Sequence, residues 1–344
     1  MSADLADSTN ISGFAKGYGS ARDKGLYNKN DNPNSPLFPQ GITEFTNAGM
    51  MAGAATVNFH VDPYKLFNGF FGAMSTYGSF SYLKYGPIRL FSQLAQDSDL
   101  KVGKLIWVAG HSGPETAEDS RTHFGIFAPG VTQLFPDGHI INLHPWEHNE
   151  VAPALAAALS TTVPVVALHL TRPPVEIPDR KKLGMASHLD ASKGAYIIKD
   201  YNHTKEKLGV IIVRGTSSTN SIVSLLEQLK KDGPNVKIVS AVSWELFSSQ
   251  PLKYQQNIIS DREWADSMII TNGALRLMHK WISNKIVEKY SMSPDFDNQW
   301  RTGGSVDEIV AESKLDSKSI LAGIRKFAND RSKRLELIEK SFPS

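Results

Sequence analysis

The chain has 344 residues, with 37 Lys and Arg against 35 Asp and Glu, a formal net charge of +2 at pH 7 and no cysteine. So balanced a charge excludes partners captured by a strong field, such as nucleic acid or an anionic membrane surface. The absence of cysteine excludes disulfides, thiolate nucleophiles and thiolate metal sites, and suits a reducing cytosol.

The length suits two domains. The opening Met1-Ser2-Ala3-Asp4 is polar and does not read as a secretory leader, and no apolar run reaches the ~18 residues of a membrane helix. A soluble, cytoplasmic chain is expected. Residues 21–40 are rich in Asn, Pro and Asp and predict a long loop. Residues 42–57 are small and apolar and predict a helix with Glu44 at its entrance. Gly49 and Gly53, four apart, share one face of it and predict close packing there. Residues 59–91 are aromatic-rich. Leu105-Ile106-Trp107-Val108-Ala109 predicts a buried strand, residues 153–160 a helix and residues 163–170 another buried strand, a succession that argues a parallel sheet.

Residues 172–192 have the proline, charge and glycine content of a linker. Beyond it the spacing predicts a strand over 209–213, an amphipathic helix over 221–231, strands over 236–242 and 267–272, and a helix over 274–290. A helix over 316–339, capped by Asp316 or Ser317, closes the chain. A second, smaller α/β domain is therefore expected after the first.

The strand 105–109 delivers a polar loop, His111-Ser-Gly-Pro-Glu-Thr-Ala-Glu-Asp-Ser-Arg-Thr-His123, at its carboxyl end, where α/β sheets bind ligands. Two imidazoles with Glu118 and Asp119 between them can hydrogen-bond hydroxyls and move protons, because His titrates near neutrality and a carboxylate can hold its tautomer. Taken alone, the same residues also describe a polar surface loop. His144, Glu147 and His148 have the spacing of a metal pair, yet no third ligand accompanies them, and a satisfied surface or interface role is expected.

Three separated segments resemble the transketolases, thiamine diphosphate enzymes. Residues 2–8 resemble the segment that opens their pyrimidine-binding domain. The 111–123 loop resembles their paired-histidine loop, with Glu118, Asp119, Thr122 and His123 in register. Ile42-Thr43-Glu44-Phe45 resembles the segment carrying their cofactor-activating glutamate. The later strands and helix resemble their C-terminal domain. The resemblance implies an α/β fold of two open domains: a pyrimidine-binding domain over 1–180 with a largely parallel sheet, and a smaller transketolase C-terminal-like domain over 195–344. Ser112, Thr116-Ala117 and Ser120-Arg121 depart from the family's loop and leave substrate scope open.

The same resemblance assigns roles. Glu44 would hydrogen-bond the cofactor's pyrimidine, a role set beside that of an ordinary carboxylate at a helix N-terminus. Phe80, with Tyr82 and Tyr85, would stack on the pyrimidine ring, and Asp4 and Glu118 would lie close to the cofactor or tie subunits. Ser8, His111 and Arg172 would hold a sugar phosphate, the alternatives being a cap for Ser8 and a solvated charge for Arg172. Asp119 would accept from a substrate hydroxyl, with His123 and His111 as donors or proton shuttles at the reacting carbonyl.

The family's diphosphate-binding signature, Gly-Asp-Gly followed by Asn, is missing, and only Pro136-Asp137-Gly138 comes near it. The resemblance therefore implies that a second subunit holds Mg²⁺ and the diphosphate, in a heterotetramer or larger assembly acting on sugar phosphates. The competing readings are the beta subunit of a 2-oxo acid dehydrogenase, which shares the layout but lacks the Asp119/His123 pattern, and a noncatalytic assembly subunit.

Overall fold

The computed structural model describes residues 1–3, 6, 7, 9, 11–19, 25–301 and 303–341. They form two units, each interrupted in sequence. The first holds Met1–Ser112, Ala128–Asn142 and Leu159–Arg172, and the second Gly113–Phe127, Leu143–Ala158 and Pro173–Ser344.

The first unit is built on a four-stranded parallel sheet of β1 (Gly72–Thr76), β2 (Leu105–Ala109), β3 (Ile140–Leu143) and β4 (Val165–His169), ordered β1-β2-β4-β3. Its strands are buried nearly throughout, as a parallel sheet covered by helices demands. The helix Glu44–Thr56 packs Ala48, Ala52 and Ala55 against Met74, Leu105, Trp107 and Val165. That alanine stripe is the face that meets the sheet. Gly49 and Gly53 lie off it, a Cβ on either would meet nothing within 4 Å, and the close packing expected of them does not occur among the described residues. The helix Tyr85–Asp97 adds Ile88 and Phe91 to the same core.

The second unit carries β5 (Ala195–Lys199), β6 (Val210–Arg214), β7 (Lys237–Ala241) and β8 (Ser267–Thr271), ordered β5-β7-β6-β8. β6 pairs in parallel with both neighbours, and β5 runs antiparallel to β7 at the edge. Val210, Ile212, Val239 and Ile269 form its core with Phe247, Met278 and Trp281.

Three expected helices take other forms. The one over 221–231 begins earlier, at Thr216, and divides into Thr216–Ser224 and Leu226–Lys231. The one over 274–290 is a 3-10 helix, Leu275–Trp281, followed by a separate helix, Lys285–Tyr290. The break is made by side chains. The Trp264 indole donates to Trp281 O at 2.7 Å, and Asn284 Oδ1 accepts from the amides of Ile286 and Val287. The helix expected over 316–339 keeps its Asp316 cap but divides at Asp330 into Ser317–Asn329 and Arg331–Ser341. No helix among the described residues is long and apolar enough to cross a membrane.

Two buried charges are expected to dominate the response to mutation. Arg334 stacks on Phe327 and donates to Asp266 Oδ1 at 2.6 Å, tying the final helix to the start of β8. Asp266→Ala strands a buried guanidinium and is expected to cost about 3–5 kcal/mol in urea unfolding, more than Arg334→Met. Lys84 is fully buried and its amine has no hydrogen-bond partner among the described residues. Burial pushes it from 10.5 down to about 7, the field of Glu44 opposing the drop. Between those two values the unfolded chain binds a proton that the folded chain lacks, so stability rises with pH across that window. The slope is at most about 1.4 kcal/mol per pH unit. Urea midpoints measured at about pH 7 and 9.5 are expected to show this rise, and Lys84→Met is expected to lose most of it.

Candidate functional site

In the first unit, the residues of interest gather where β1 ends and its neighbouring helix begins. Glu44 is the first residue of the helix Glu44–Thr56, is 7% exposed, and accepts from Thr76 Oγ1 at 3.0 Å. Thr76 is the last residue of β1, so the sheet itself fixes this contact. A carboxylate out of water needs donors, and here one is a hydroxyl and the nearby charge is the Lys84 ammonium.

The next residue, Tyr77, is buried and meets the His111 imidazole edge to face, with centroids 4.0 Å apart. Phe80 is half-buried and packs edge to face on Tyr77 at 6.1 Å. Glu44, Thr76, Tyr77, Phe80 and His111 thus occupy one end of one unit. Tyr82 is exposed. Tyr85 packs on Phe135 and directs its hydroxyl to Leu134 O at 3.4 Å, against the core of the unit. Arg172 follows β4 and is half-buried. Asp4 and Ser8 lie outside the described residues.

Four residues here escape a reading of the sequence. Thr76 and Tyr77 are ordinary strand-end residues until the sheet sets them beside Glu44 and His111. Lys84 gives no sign of burial, since it stands among aromatics in a stretch with no helical stripe. His169, at the end of β4, is buried with Ser112 Oγ at 3.4 Å from Nδ1, and with Thr132 Oγ1 and Asn142 Oδ1 each at 3.4 Å from Nε2.

The second unit carries the rest of the polar loop. A 3-10 turn, Pro114–Glu118, leads to Asp119, and a second, Arg121–His123, returns the chain. Asp119 Oδ2 lies 2.6 Å from His123 Nδ1. Such a pair favours the tautomer protonated at Nδ1 and leaves Nε2 as the working nitrogen. Both side chains keep some exposure, 13% for His123 and 25% for Asp119, so a ligand can reach them. Glu118 is half-buried beside this pair in the sequence.

His144, Glu147 and His148 do not form a helical metal pair, because the helix His148–Leu159 starts only at the last of them. His144 is buried, and Glu147 is committed to Arg180, whose guanidinium donates to Glu147 Oε1 at 2.8 Å and Glu150 Oε1 at 2.7 Å. Tyr196 and Trp146 complete that closed network.

Residues 194–292 match the family of transketolase-like TK C-terminal domains. A transketolase of Nostoc sp. (strain PCC 7120 / SAG 25.82 / UTEX 2576) is 28% identical over 319 residues, which are 91% of this chain and 42% of that protein. A chloroplastic transketolase of Craterostigma plantagineum is 33% identical over 166 residues, 47% of this chain and 30% of that one. Among solved structures, a Pichia stipitis transketolase in complex with sedoheptulose-7-phosphate superposes with a TM-score of 0.71 at 20% identity, covering 96% of this chain and 43% of that one. A Leishmania mexicana transketolase gives 0.70 at 19%, with 96% and 42% covered. The structural likeness is one of fold, and the chain spans less than half the length of these relatives. Over nearly its whole length the chain is similar to part of the transketolases, sharing their fold, and residues 194–292 match their C-terminal domain.

Proposed function

We propose that this chain is the pyrimidine-side component of a thiamine diphosphate-dependent transketolase, moving a two-carbon ketol unit between sugar phosphates together with a partner chain that holds the diphosphate and Mg²⁺. The observation that carries the reading is Glu44. It is an acid withdrawn from water at a helix start and oriented by the strand-end hydroxyl of Thr76. A carboxyl so placed suits the pyrimidine end of the cofactor, where it would hydrogen-bond a ring nitrogen and hold or pass a proton. Aromatic faces for the ring are at hand in Phe80 and its neighbours. The diphosphate end is different: it needs oxygen ligands for a divalent cation, and the sequence lacks the Gly-Asp-Gly signature that supplies them.

When bound, thiamine diphosphate supplies the nucleophilic carbon that carries the transferred unit. This chain's residues would do the rest. Asp119 would accept from the substrate hydroxyl next to the reacting carbon. His123, held at Nδ1 by Asp119, would donate or take a proton at the carbonyl oxygen through Nε2. His111, Arg172 and Ser8 would receive the phosphate and sugar, Arg172 as a two-pronged clamp. Asp4 and Glu118 would lie toward the cofactor or a neighbouring subunit, and Tyr82 and Tyr85 would border the ring.

An exposed apolar surface supports the need for a partner. Phe45 and Met50 on the first helix, with Phe59, Val61, Phe70 and Phe71 nearby in sequence, are all about half exposed or more. Large apolar side chains gathered on one unit mark a face that another chain covers. A heterotetramer or larger assembly follows if two such halves pair. The pyrimidine-binding and C-terminal domains would run over 1–180 and 195–344, and the assembly would work in the cytoplasm.

Co-purification with mass spectrometry is expected to recover a chain bearing the diphosphate-binding domain. The reconstituted pair, given thiamine diphosphate and Mg²⁺, is expected to transfer ketol units between sugar phosphates. Glu44→Gln is expected to lower turnover at least about 100-fold with assembly unchanged. A folded, cofactor-loaded complex inactive on every ketose phosphate tried would sink the proposal, and full activity of Glu44→Gln would favour a noncatalytic role for this chain. Decarboxylation of 2-oxo acids in place of ketol transfer would point to the dehydrogenase reading. His123→Ala is expected to reduce kcat by about 100-fold or more while cofactor affinity, measured by titration calorimetry, stays within about threefold.

A further inference from the structure

Glu115 has no role in the foregoing. It is 2% exposed, yet it opens a polar loop whose later residues reach solvent. Its carboxylate is held from two directions within the second unit. Ser217 Oγ donates to Oε2 at 2.8 Å, and Asn272 Nδ2 donates to Oε1 at 3.2 Å. Ser217 belongs to the first turn of the helix Thr216–Ser224, so the negative charge sits at that helix's positive end. Asn272 follows β8.

Two glycines make this approach possible. A Cβ at Gly113, whose φ is +114°, would lie 2.5 Å from both Asn272 Nδ2 and Glu115 Oε2. A Cβ at Gly215, with φ +89°, would lie 1.7 Å from Asn272 Oδ1. Both turns therefore need a residue without a side chain in a left-handed conformation. The rest of the loop is tied to the same unit. Thr116 Oγ1 bridges Gly113 O at 2.8 Å and His123 O at 2.6 Å, and Ala274 N donates to Ile126 O at 2.9 Å. Ala117, Phe124 and Ile126 pack on Ile309.

We propose that Glu115 is a positioning residue: by seating its carboxylate between Ser217 and Asn272 it fixes the turn Pro114–Glu118 and so sets where Asp119 and His123 stand. Asp119 begins one residue after that turn, and the Thr116 hydroxyl carries the constraint directly to the His123 backbone. The charge matters as well as the shape. A carboxylate can accept from both donors, whereas an amide turns a donor toward one of them. This inference rests on the proposed substrate role of Asp119 and His123.

Hydrogen exchange followed by mass spectrometry on the full chain tests the hold on the loop, using Glu115→Gln, Glu115→Ala and Ser217→Ala. Amides of residues 116–127 are expected to exchange about tenfold faster in both Glu115 variants, and measurably faster in Ser217→Ala, while amides of β6, β7 and β8 keep their protection. In the completed enzyme, kcat is expected to fall in the same order with cofactor affinity unchanged. Unchanged exchange in the loop overturns the proposal, as does loss of protection in loop and strands together, which would mean a general structural role. Faster exchange with unaltered kcat overturns it too. A wild-type complex that transfers no ketol unit refutes the enzymatic reading by itself, and the exchange experiment remains decisive for what Glu115 does to the loop.

Discussion

A carboxylate taken out of water must be met by donors or by opposite charge, and Glu44 is met by both: the Thr76 hydroxyl at 3.0 Å and the field of the buried Lys84. That constraint organises the first unit. It fixes where the helix Glu44–Thr56 starts relative to the end of β1, and it places the aromatic segment after β1 next to the same acid. The arrangement is costly for stability, because Lys84 has no compensating hydrogen bond among the described residues and its amine is driven toward neutrality. Strain of this kind gathers at sites where chemistry needs a group in an unusual state.

Much of the fold was readable because its strands are short apolar runs bounded by turn residues. β2, β4, β6, β7 and β8 all follow that rule, as does the Asp316 cap of the penultimate helix. β1 was not readable: Gly72-Ala73-Met74-Ser75-Thr76 has neither alternation nor β-branched density until its last residue, and only pairing with β2 makes it a strand. The broken helix over 274–290 shows the opposite failure. Its apolar spacing is helical throughout, and the interruption comes from the Trp264 indole and the Asn284 cap, contacts invisible to periodicity. For the candidate site, Glu44 and the loop residues could be picked out because their types carry chemistry. Thr76, Lys84, His169 and Glu115 could not, since what marks them is burial and partners supplied by distant segments.

The Asp119–His123 pair sits in a loop that departs from the family pattern, yet the two side chains still meet at 2.6 Å. Ser112, Thr116, Ala117, Ser120 and Arg121 differ from the glycine-rich loop of the transketolases, so backbone freedom is lower here. Other devices replace it. Ser120 Oγ accepts from the Thr122 amide, Thr116 braces the His123 carbonyl, and Glu115 docks the leading turn onto the second unit. A stiffer loop loses less entropy when it receives a substrate, and pre-ordered donors act without reorganising.

The extent of the chain matters as much as its residues. It covers 42% of the Nostoc transketolase, and the roles proposed for its residues fall on the pyrimidine and sugar sides of that chemistry. A divalent cation bridging phosphates demands a fixed set of oxygen ligands, and a helix or strand end alone cannot substitute for them. The exposed Phe45, Met50, Phe59, Phe70 and Phe71 would each be poor surface choices for a chain working alone. Gly49 and Gly53, open to solvent within this chain, lie on the same helix as two of these side chains and would let another backbone approach closely. On the proposed reading, the ligands for the diphosphate's cation and the cover for this apolar face would come from the same place, a diphosphate-binding domain packed against this unit.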